Sequence, residues 1–222
     1  MRPLSTKPSF EAYSGPTIDG TPEACAEAYR IFMASRRSVR DFSDAPVSEE
    51  VIGSIVSTAA GAPSGANKQP WSFVCVQDAE LKREIRAAAE EEERLFYGER
   101  ASQRWLDDLK PFETTADKPF LETAPWLIVV FKVARGAAGE QHYYVTESVG
   151  IATGFLLSAI HHAGLVALTH TPCPMEFLGK ILDRPSHEKP FLLIPVGRPA
   201  MNCEVPTLER RALNEVMIVD RG

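Results

Sequence analysis

Cysteine is scarce in this chain, and its four cysteines are scattered. They are Cys25, Cys75, Cys173 and Cys203. Without a Cys-x-x-Cys pair, this spacing excludes a dense disulfide framework and the paired thiolates of a zinc finger. The histidines do not replace them, because His161 and His162 are adjacent and would diverge by about 100° on a helix. We therefore predict no metal site, and reduced thiols as in a cytoplasm.

An excess of basic residues is also missing. The chain carries a formal net charge of -6, so it offers no basic face for sequence-independent binding of nucleic acid or for adhesion to an anionic membrane. No stretch near the N-terminus combines a basic start with an apolar run, as a signal peptide would. The longest apolar stretch, residues 149–168, contains Thr153, Ser158 and two histidines, and it falls short of the roughly 20 apolar residues of a membrane span. We expect a soluble cytoplasmic protein that binds neither nucleic acid nor membrane.

The composition of the chain is sufficient for one globular hydrophobic core. Hydrophobic residues make up 44% of it and charged residues 24%, which is ordinary for a soluble domain. Residues 1–20 are rich in proline, serine and glycine, and we predict an N-terminal arm there. No later stretch resembles a linker, so residues 21–222 are predicted to form a single domain.

Helix and strand patterns alternate along that domain. Thr21 followed by Pro22 marks the start of a first helix, and Ser48 marks the start of a second. Further helices are predicted at about residues 78–109, 142–164 and 175–182. Strands are predicted at residues 71–76, 126–133, 165–169 and 191–196. This order predicts an α+β fold, an α/β mixture of one central sheet flanked by helices. The apolar helix at 142–164 is predicted to be buried nearly all round.

A compact basic cluster stands out against the acidic background. Arg36, Arg37 and Arg40, with Ser38 and Val39 between them, would place three guanidiniums and a hydroxyl within about one helical turn. Arginine meets phosphate with paired planar donors. The cluster therefore indicates a small anion with more than one charge. The alternative is a solvated helix end, since short basic runs are common.

Two loops carry further candidate ligands. Pro63-Ser64-Gly65-Ala66 precedes the first strand, where glycine permits close backbone approach and the serine hydroxyl can donate to a carbonyl, a ribityl hydroxyl or a phosphate. Thr169-His170-Thr171-Pro172 follows the short third strand, and ligands often bind near strand ends in such sheets. Each loop could equally be a plain turn. His170 is not favoured as a general base, because no neighbour in the sequence orients it.

Three residues suggest recognition of an amino acid. Glu93 and Tyr97 are spaced i, i+4 on one helix face, and Lys118 lies on the polar loop that follows. Glu93 would accept from an α-ammonium, while Tyr97 and Lys118 would donate to an α-carboxylate. A solvated helix face is the alternative, because Glu93 ends a run of four glutamates.

Together these segments resemble the nitroreductase-like FMN enzymes and, within that superfamily, the iodotyrosine deiodinase family. The resemblance spans about Tyr29 to Val219 and rests on the arginine cluster, the loop Ala62-Pro63-Ser64-Gly65-Ala66 and a late arginine, Arg211. Other matching segments are Gln69-Pro70-Trp71, the glutamate run before Tyr97, Arg104-Trp105 to Asp108-Leu109, His142-Tyr143-Tyr144, Gly164-Leu165-Val166, His187-Glu188-Lys189 and Pro195-Val196-Gly197. The resemblance implies a nitroreductase-like FMN-dependent fold and an intertwined homodimer.

The resemblance also assigns roles to single residues. Those expected to hold FMN are Arg36, Arg37, Ser38, Val39, Arg40, Ser64, Thr169, His170, Thr171 and Arg211. Thr171 is the expected catalytic residue, with its hydroxyl donating to flavin N5. The Ala66 amide would meet the substrate phenolate, and Glu93, Tyr97 and Lys118 would clamp the substrate zwitterion.

The function implied is FMN-dependent reductive dehalogenation of halotyrosines, 3-iodotyrosine to tyrosine and iodide. It would proceed by stepwise electron transfer under a lid at about residues 90–120, with electrons from NAD(P)H or a separate reductase. Animal members of the family carry an N-terminal membrane anchor that this sequence lacks, so a soluble form is expected. Two other functions stay open. One is a generic NAD(P)H-dependent nitro- or quinone reductase, which transfers hydride and needs no zwitterion clamp; the other is a flavin- or amino-acid-binding protein without turnover.

Overall fold

A computed structural model describes residues 9–136 and 138–220 of the protein. The chain divides into two compact units, Met1–Ser35 and Arg36–Gly222. The second unit contains the β-sheet and all of the candidate binding residues named above.

The first unit contains one helix among its described residues, α1 (Pro22–Ala34). It begins where the sequence predicts, because the Thr21 hydroxyl accepts from the Ala24 amide at 3.3 Å and Pro22 occupies the first turn. Of the predicted arm at residues 1–20, the first eight lie outside the described residues. The others are exposed and carry neither helix nor strand.

Helices and strands alternate along the second unit in the predicted order. Its helices are α2 (Glu49–Ala60), α3 (Ala79–Leu95), α4 (Gln103–Leu109), α5 (Phe120–Thr123), α6 (Val145–His162), α7 (Glu176–Ile181) and α8 (Leu213–Val216). Its strands are β1 (Trp71–Val76), β2 (Trp126–Val133), β3 (Val166–Ala167) and β4 (Glu188–Gly197). Short helical turns lie at Gly65–Asn67, Phe96–Arg100 and Lys110–Phe112. All four predicted strands are present, although β3 is shorter than predicted and β4 begins earlier.

The four strands form one antiparallel sheet in the order β1–β2–β4–β3. The central strands β2 and β4 pair over most of their length, with a register shift between Val130 and Phe131. β2 is buried from Trp126 to Phe131, which explains its unbroken run of apolar residues. An antiparallel sheet flanked by helices is an α+β architecture, as predicted.

Helices cover both faces of the sheet, and alternate residues of β2 enter two separate cores. The core beneath α2 and α6 includes Ile55, Ile128, Val130 and Leu156. The core beneath α3 and α7 includes Ile85, Leu127, Val129 and Leu178. Apart from Glu93 in α3, the candidate binding residues lie on the segments between these helices and strands.

The prediction of one long helix at residues 78–109 is wrong. α3 ends at Leu95, a π-helical turn follows, and Ala101 adopts an extended backbone with φ -74° and ψ 132°. Ser102 then caps α4 by accepting from the Trp105 amide at 3.3 Å. Serine is a favoured N-cap residue, so the helix restarts there and the chain can change direction at that point.

The prediction that the apolar helix is buried nearly all round is also wrong for the single chain. α6 begins at Val145 rather than at His142, since Tyr144 takes a left-handed conformation with φ 52°. Its outer face carries Ile151 and Phe155, which are 44% and 42% exposed. Within the part of the chain that the structure describes, no helix is both long enough and apolar enough to cross a membrane.

Candidate active site

The arginine cluster lies on an extended segment, so its predicted placement within one helical turn is wrong. Ser38 pairs with Ala167 of β3 in a parallel bridge, and the Val39 amide donates to the Ala167 carbonyl at 3.1 Å. This pairing with the sheet holds the segment extended. Side chains alternate along an extended chain. Arg36, Ser38 and Arg40 therefore share one side, while Val39 is buried.

The three guanidiniums have different surroundings. Arg37 donates to the Pro206 carbonyl. Arg40 is half-buried, which lowers its pKa, and its guanidinium lies 5.9 Å from the centre of the Phe112 ring. Arg36 and Arg40 form no ion pair with any residue that the structure describes. Their donors therefore stay available to an anionic ligand.

The loop before β1 holds an unusual backbone conformation. Ala66, Asn67 and Gln69 have φ values of 47°, 54° and 47°, in the left-handed region that residues other than glycine rarely adopt. The Ser64 hydroxyl accepts from the Gln69 amide at 2.9 Å and closes the loop. The Asn67 amide donates to the Ser64 carbonyl, whereas the Ala66 amide has no partner in the described part of the chain. The loop thus presents a free N–H at Ala66.

Position 65 of this loop leaves little room for a side chain, because two aromatic rings approach it. A Cβ on Gly65 would lie 2.9 Å from Cδ2 of Tyr144 and 3.3 Å from Cδ2 of Tyr143. The two rings pack edge to face, with their centroids 5.7 Å apart. Sequence reasoning gave this pair no role, although two adjacent aromatics before an apolar helix were a usable signal. They form one wall of the loop.

The structure brings Glu93, Tyr97 and Lys118 together. Glu93 Oε2 lies 3.3 Å from Lys118 Nζ, and that ammonium lies 5.5 Å from the centre of the Tyr97 ring. Lys118 Nζ also donates to the Thr115 carbonyl, and the Tyr97 hydroxyl donates to Thr114 Oγ1 at 2.8 Å. Because Glu93 and Lys118 are buried, the alternative of a solvated helix face does not hold for Glu93.

Burial and mutual attraction determine the ionisation of these three groups. Burial raises the pKa of Glu93, and the Lys118 ammonium opposes that rise. Burial lowers the pKa of Lys118, and the Glu93 carboxylate opposes that fall. Burial also raises the pKa of Tyr97, so its phenol stays protonated and can donate. A carboxylate, an ammonium and a phenol in one buried place match the two ends of an amino-acid zwitterion.

The segment after β3 directs alternate side chains to opposite sides. The backbone of His170 pairs with Leu193 in both directions, at 2.9 and 3.0 Å. The imidazole is buried, and its Nε2 lies 3.7 Å from Glu93 Oε1. Thr169 and Thr171 are exposed, and their hydroxyls have no partner among the described residues. These hydroxyls are free to bind a ligand. The contact between His170 and Glu93 was not found from the sequence.

The segment that follows α3, part of the predicted lid, has contacts that sequence reasoning also missed. Arg100 donates to the Cys173 carbonyl at 3.2 Å and pairs with the Glu92 carboxylate at 2.6 Å. The Phe96 ring packs edge-on against Tyr97 and Trp105, with centroid distances of 5.2 and 4.9 Å. These contacts hold the segment beside Glu93, Tyr97 and Lys118. The run of aromatics in this stretch was the available sequence signal.

Arg211 lies apart from the other candidates. Its guanidinium donates to the Glu215 carbonyl at 2.6 Å and lies 3.6 Å from the Glu215 carboxylate. The residue is exposed in the single chain. The structure thus gives Arg211 a local partner, and among the described residues no ion pair or hydrogen bond joins it to the arginine cluster.

The assembled groups can bind two chemically different ligands. Guanidiniums and hydroxyls suit a phosphate-bearing molecule, and the carboxylate, ammonium and phenol suit an amino acid. Among residues 9–136 and 138–220, no group of three or more His, Cys, Asp or Glu residues is placed to hold a metal ion. The side chains supply charge and hydrogen bonds, so electron transfer at this site requires a bound redox group.

Sequence comparison finds relatives along nearly the whole chain. Residues 33–198 match the model of the Nitroreductase family. The chain is 54% identical over 224 residues to iodotyrosine deiodinase of Haliscomenobacter hydrossis, covering 97% of this chain and 100% of that protein. It is 47% identical to iodotyrosine deiodinase of Hydra vulgaris, covering 86% of this chain and 72% of that protein.

Structural comparison agrees with the sequence matches. A crystal structure of oxidized iodotyrosine deiodinase bound to FMN and 3-iodo-L-tyrosine superposes with a TM-score of 0.74 at 32% identity, covering 87% of this chain and 98% of that one. A BluB-like flavoprotein from Clostridium difficile superposes with a TM-score of 0.68 at 20% identity, over 87% of this chain and 99% of that one, and shares the fold. The predicted nitroreductase-like fold is confirmed.

Proposed function

The chain belongs to the nitroreductase family and, within it, to the iodotyrosine deiodinases, and on that premise we propose that it dehalogenates halotyrosines reductively with FMN. Its reaction converts 3-iodotyrosine to tyrosine and iodide. The observation that carries the proposal is the buried ion pair of Glu93 and Lys118 beside the Tyr97 phenol. These groups complement a zwitterion, which a general nitro- or quinone reductase has no need to bind.

The residues of this chain fit FMN. The FMN phosphate is an anion, and Arg36 and Arg40 have donors that no described acidic residue neutralises, with the Ser38 hydroxyl between them in sequence. The exposed hydroxyls of Thr169 and Thr171 can donate to the flavin, that of Thr171 to N5. Further residues proposed to contact FMN are Arg37, Val39, Ser64, His170 and Arg211. When bound, FMN supplies the two electrons of the reaction.

The clamp residues bind the two ends of the substrate's amino-acid group. Glu93 accepts a hydrogen bond from the α-ammonium, and Lys118 donates one to the α-carboxylate. The Tyr97 hydroxyl gives up its hydrogen bond to Thr114 Oγ1 and donates to that carboxylate instead. The ligand is neutral overall, so it inserts into an existing ion pair without leaving a buried charge unpaired. The lid at about residues 90–120 carries these groups, and closing it excludes water from the reacting ring.

The loop before β1 binds the other end of the substrate. The Ala66 N–H donates to the phenolate oxygen, since this amide is free and its left-handed backbone is held by Ser64. The balanced reaction consumes two electrons and one proton: the carbon–iodine bond breaks, a carbon–hydrogen bond forms on the same ring carbon, and iodide leaves. NAD(P)H or a separate reductase restores the electrons.

A homodimer in the cytoplasm is part of the proposal. Ile151 and Phe155 give α6 an apolar outer face that a second copy would cover. All four cysteines are free, as expected of a reducing compartment.

Anaerobic turnover tests the proposed function. The purified yellow protein is reduced with dithionite, 3-iodotyrosine is added, and iodide and tyrosine are measured. Equal amounts of the two products support the proposal, and the absence of iodide overturns it. Reduction of a nitroaromatic or a quinone by NADPH without iodide release would instead identify a general reductase.

A further inference from the structure

One ring nitrogen of His170 is buried without a partner. The residue is 8% exposed, and its Nε2 has no hydrogen-bond partner among the residues that the structure describes. A buried polar atom of this kind costs free energy until something satisfies it. Glu93 Oε1 lies 3.7 Å from this nitrogen, which is too long for a hydrogen bond but within a small side-chain adjustment of one.

The imidazole is fixed, so Glu93 is the group that can move. Two backbone hydrogen bonds to Leu193 anchor His170 to the sheet. The Phe120 ring packs edge-on against the imidazole at 5.8 Å and 87°. Glu93 lies in the last turn of α3, which ends at Leu95 within the stretch proposed as the lid. Hydrogen bonds at ligand sites are often long in the free protein and shorten in the complex.

The imidazole that faces Glu93 is neutral. Burial is the main cause that lowers the pKa of His170 to about 3, and the nearby cations Lys118 and Arg40 contribute to the same fall. A neutral imidazole carries one N–H, and a facing carboxylate favours that proton on Nε2. Such a donor orients Glu93 without neutralising it, so the full negative charge stays available to the ligand's ammonium.

We propose that His170 is a positioning residue for the substrate's α-ammonium: its Nε2–H donates to Glu93 Oε1 in the ligand complex and fixes the direction of that carboxylate. Lys118 holds the other oxygen, Oε2, so the two oxygens are held by different partners. His170 also stands between Thr169 and Thr171, and its hydrogen bond connects the clamp to the segment proposed to hold the flavin. This inference rests on the proposed function.

Affinity measurements with paired ligands test the role of His170. We expect His170→Leu to weaken 3-iodotyrosine binding by about tenfold, the scale of one hydrogen bond to a charged group. Binding of 3-(4-hydroxy-3-iodophenyl)propanoate, which lacks the ammonium, should change by less than about twofold. His170→Gln should bind 3-iodotyrosine within about threefold of the unaltered protein, because the glutamine amide can donate from nearly the Nε2 position. Equal losses for both ligands, or no loss for either, would overturn the proposal.

A second buried histidine provides the matched control. His142 is as buried as His170, but its Nδ1 contacts the Val133 carbonyl at 2.9 Å, away from the clamp. His142→Leu is expected to lower the melting temperature while leaving the ratio of the two ligand affinities unchanged. A ratio that shifts equally in both variants would mean that His170 acts only through packing.

Imidazole NMR separates this inference from the proposed function. In ¹⁵N-histidine-labelled protein saturated with 3-iodotyrosine, His170 should appear as the neutral tautomer protonated at Nε2. Its Nε2 resonance should move in Glu93→Gln and stay in Glu91→Gln. A proton on Nδ1, or no response to Glu93→Gln, would refute the hydrogen bond whether or not the protein deiodinates. Failure of iodide release with these NMR results intact would refute the proposed function alone.

Discussion

Glu93 and Lys118 form a buried ion pair, with Oε2 and Nζ 3.3 Å apart and side chains that are 11% and 6% exposed. Two buried charges are tolerable only while they remain paired. A ligand with a single charge at this place would leave one of them uncompensated, whereas a zwitterion pairs with both. We therefore expect the ion pair to favour the free amino acid over an amine or a simple acid.

Glu93→Gln should weaken halotyrosine binding by about 1.5–3 kcal/mol, the scale of a hydrogen bond to a charged group, and leave FMN bound. The neutral amide cannot pair with the α-ammonium and leaves Lys118 without its carboxylate. Calorimetric titration with 3-iodotyrosine measures the change. Glu91→Gln is the control, because Glu91 is exposed on the same helix and pairs with Arg94 at 2.8 Å. Loss of FMN with unchanged halotyrosine affinity would show that the clamp assignment is wrong.

Thr171→Val should slow iodide release from the reduced protein by about tenfold, the scale of one hydrogen bond, with ligand affinity unchanged. The exposed Thr171 hydroxyl is the proposed donor to flavin N5, and valine keeps the shape of threonine without that donor. Thr171→Ser restores a hydroxyl and should restore the rate. Single-turnover iodide measurements after dithionite reduction give the comparison. Equal rates in all three proteins would remove Thr171 from the mechanism.

Gly197→Ala should destabilise the fold by about 1–3 kcal/mol, as overpacking does. The added Cβ would lie 2.5 Å from Cδ of Pro125 and 3.3 Å from Cδ1 of Phe42. Gly53→Ala in α2 is the control, since its Cβ meets no heavy atom within 4 Å in the described part of the chain. That change should stabilise the helix by about 0.5–1 kcal/mol. Urea unfolding measures both, and equal effects would contradict the packing.

His170→Gln should make the protein less sensitive to acid. The pKa of His170 is about 3 in the folded protein, below its ordinary 6.5. The stability that depends on its neutral form is therefore fully present above pH 6.5 and is lost as the pH falls toward 3. The raised pKa of Glu93 has the opposite effect on stability, because the stability contributed by its protonated form is present at low pH and is lost as the pH rises.

Glu93 is present in both the unaltered protein and the His170→Gln variant, so the difference in their stabilities isolates His170. The other charges that act on His170 are Lys118 and Arg40. Relative to the unaltered protein, the glutamine variant should gain up to about 2 kcal/mol between about pH 7.5 and about pH 5. Melting curves across this range give the measurement. A difference that does not depend on pH would contradict the buried neutral imidazole.

Phe155→Asp should weaken the proposed dimer, because it places a charge on the exposed apolar face of α6. Light scattering after size-exclusion chromatography should show a shift from two copies toward one. Met201→Asp is the control, since Met201 is 98% exposed in a turn. A dimer that survives Phe155→Asp unchanged would place the interface elsewhere.

Local signals explain why much of the fold could be predicted from the sequence. Ser48 was predicted to cap a helix, and its hydroxyl accepts from the Val51 amide at 3.4 Å. The apolar run that begins at Trp126 predicted a strand at residues 126–133, and β2 occupies those residues. Ser102 carried the same capping signal and was overlooked inside a longer helical pattern.

Contacts between distant segments explain what the sequence could not provide. The extended conformation of the arginine segment depends on pairing between Ser38 and Ala167, which no local pattern around Ser38 indicates. The contact of His170 with Glu93 depends on how α3 lies against the strand ends. Glu93, Tyr97 and Lys118 were predicted as one binding group from their chemistry and not from their conformation, and the structure brings them together.

Ala66, Asn67 and Gln69 in the loop before β1 have left-handed backbone conformations. At these positions, thermal stability and catalytic turnover favour different residues. Glycine at any of these positions would relieve strain of about 1 kcal/mol and raise the melting temperature. It would also loosen the amide that is to meet the phenolate. Laboratory selection for thermal stability alone should therefore accumulate glycines in this loop. Selection for rapid deiodination should remove the same substitutions.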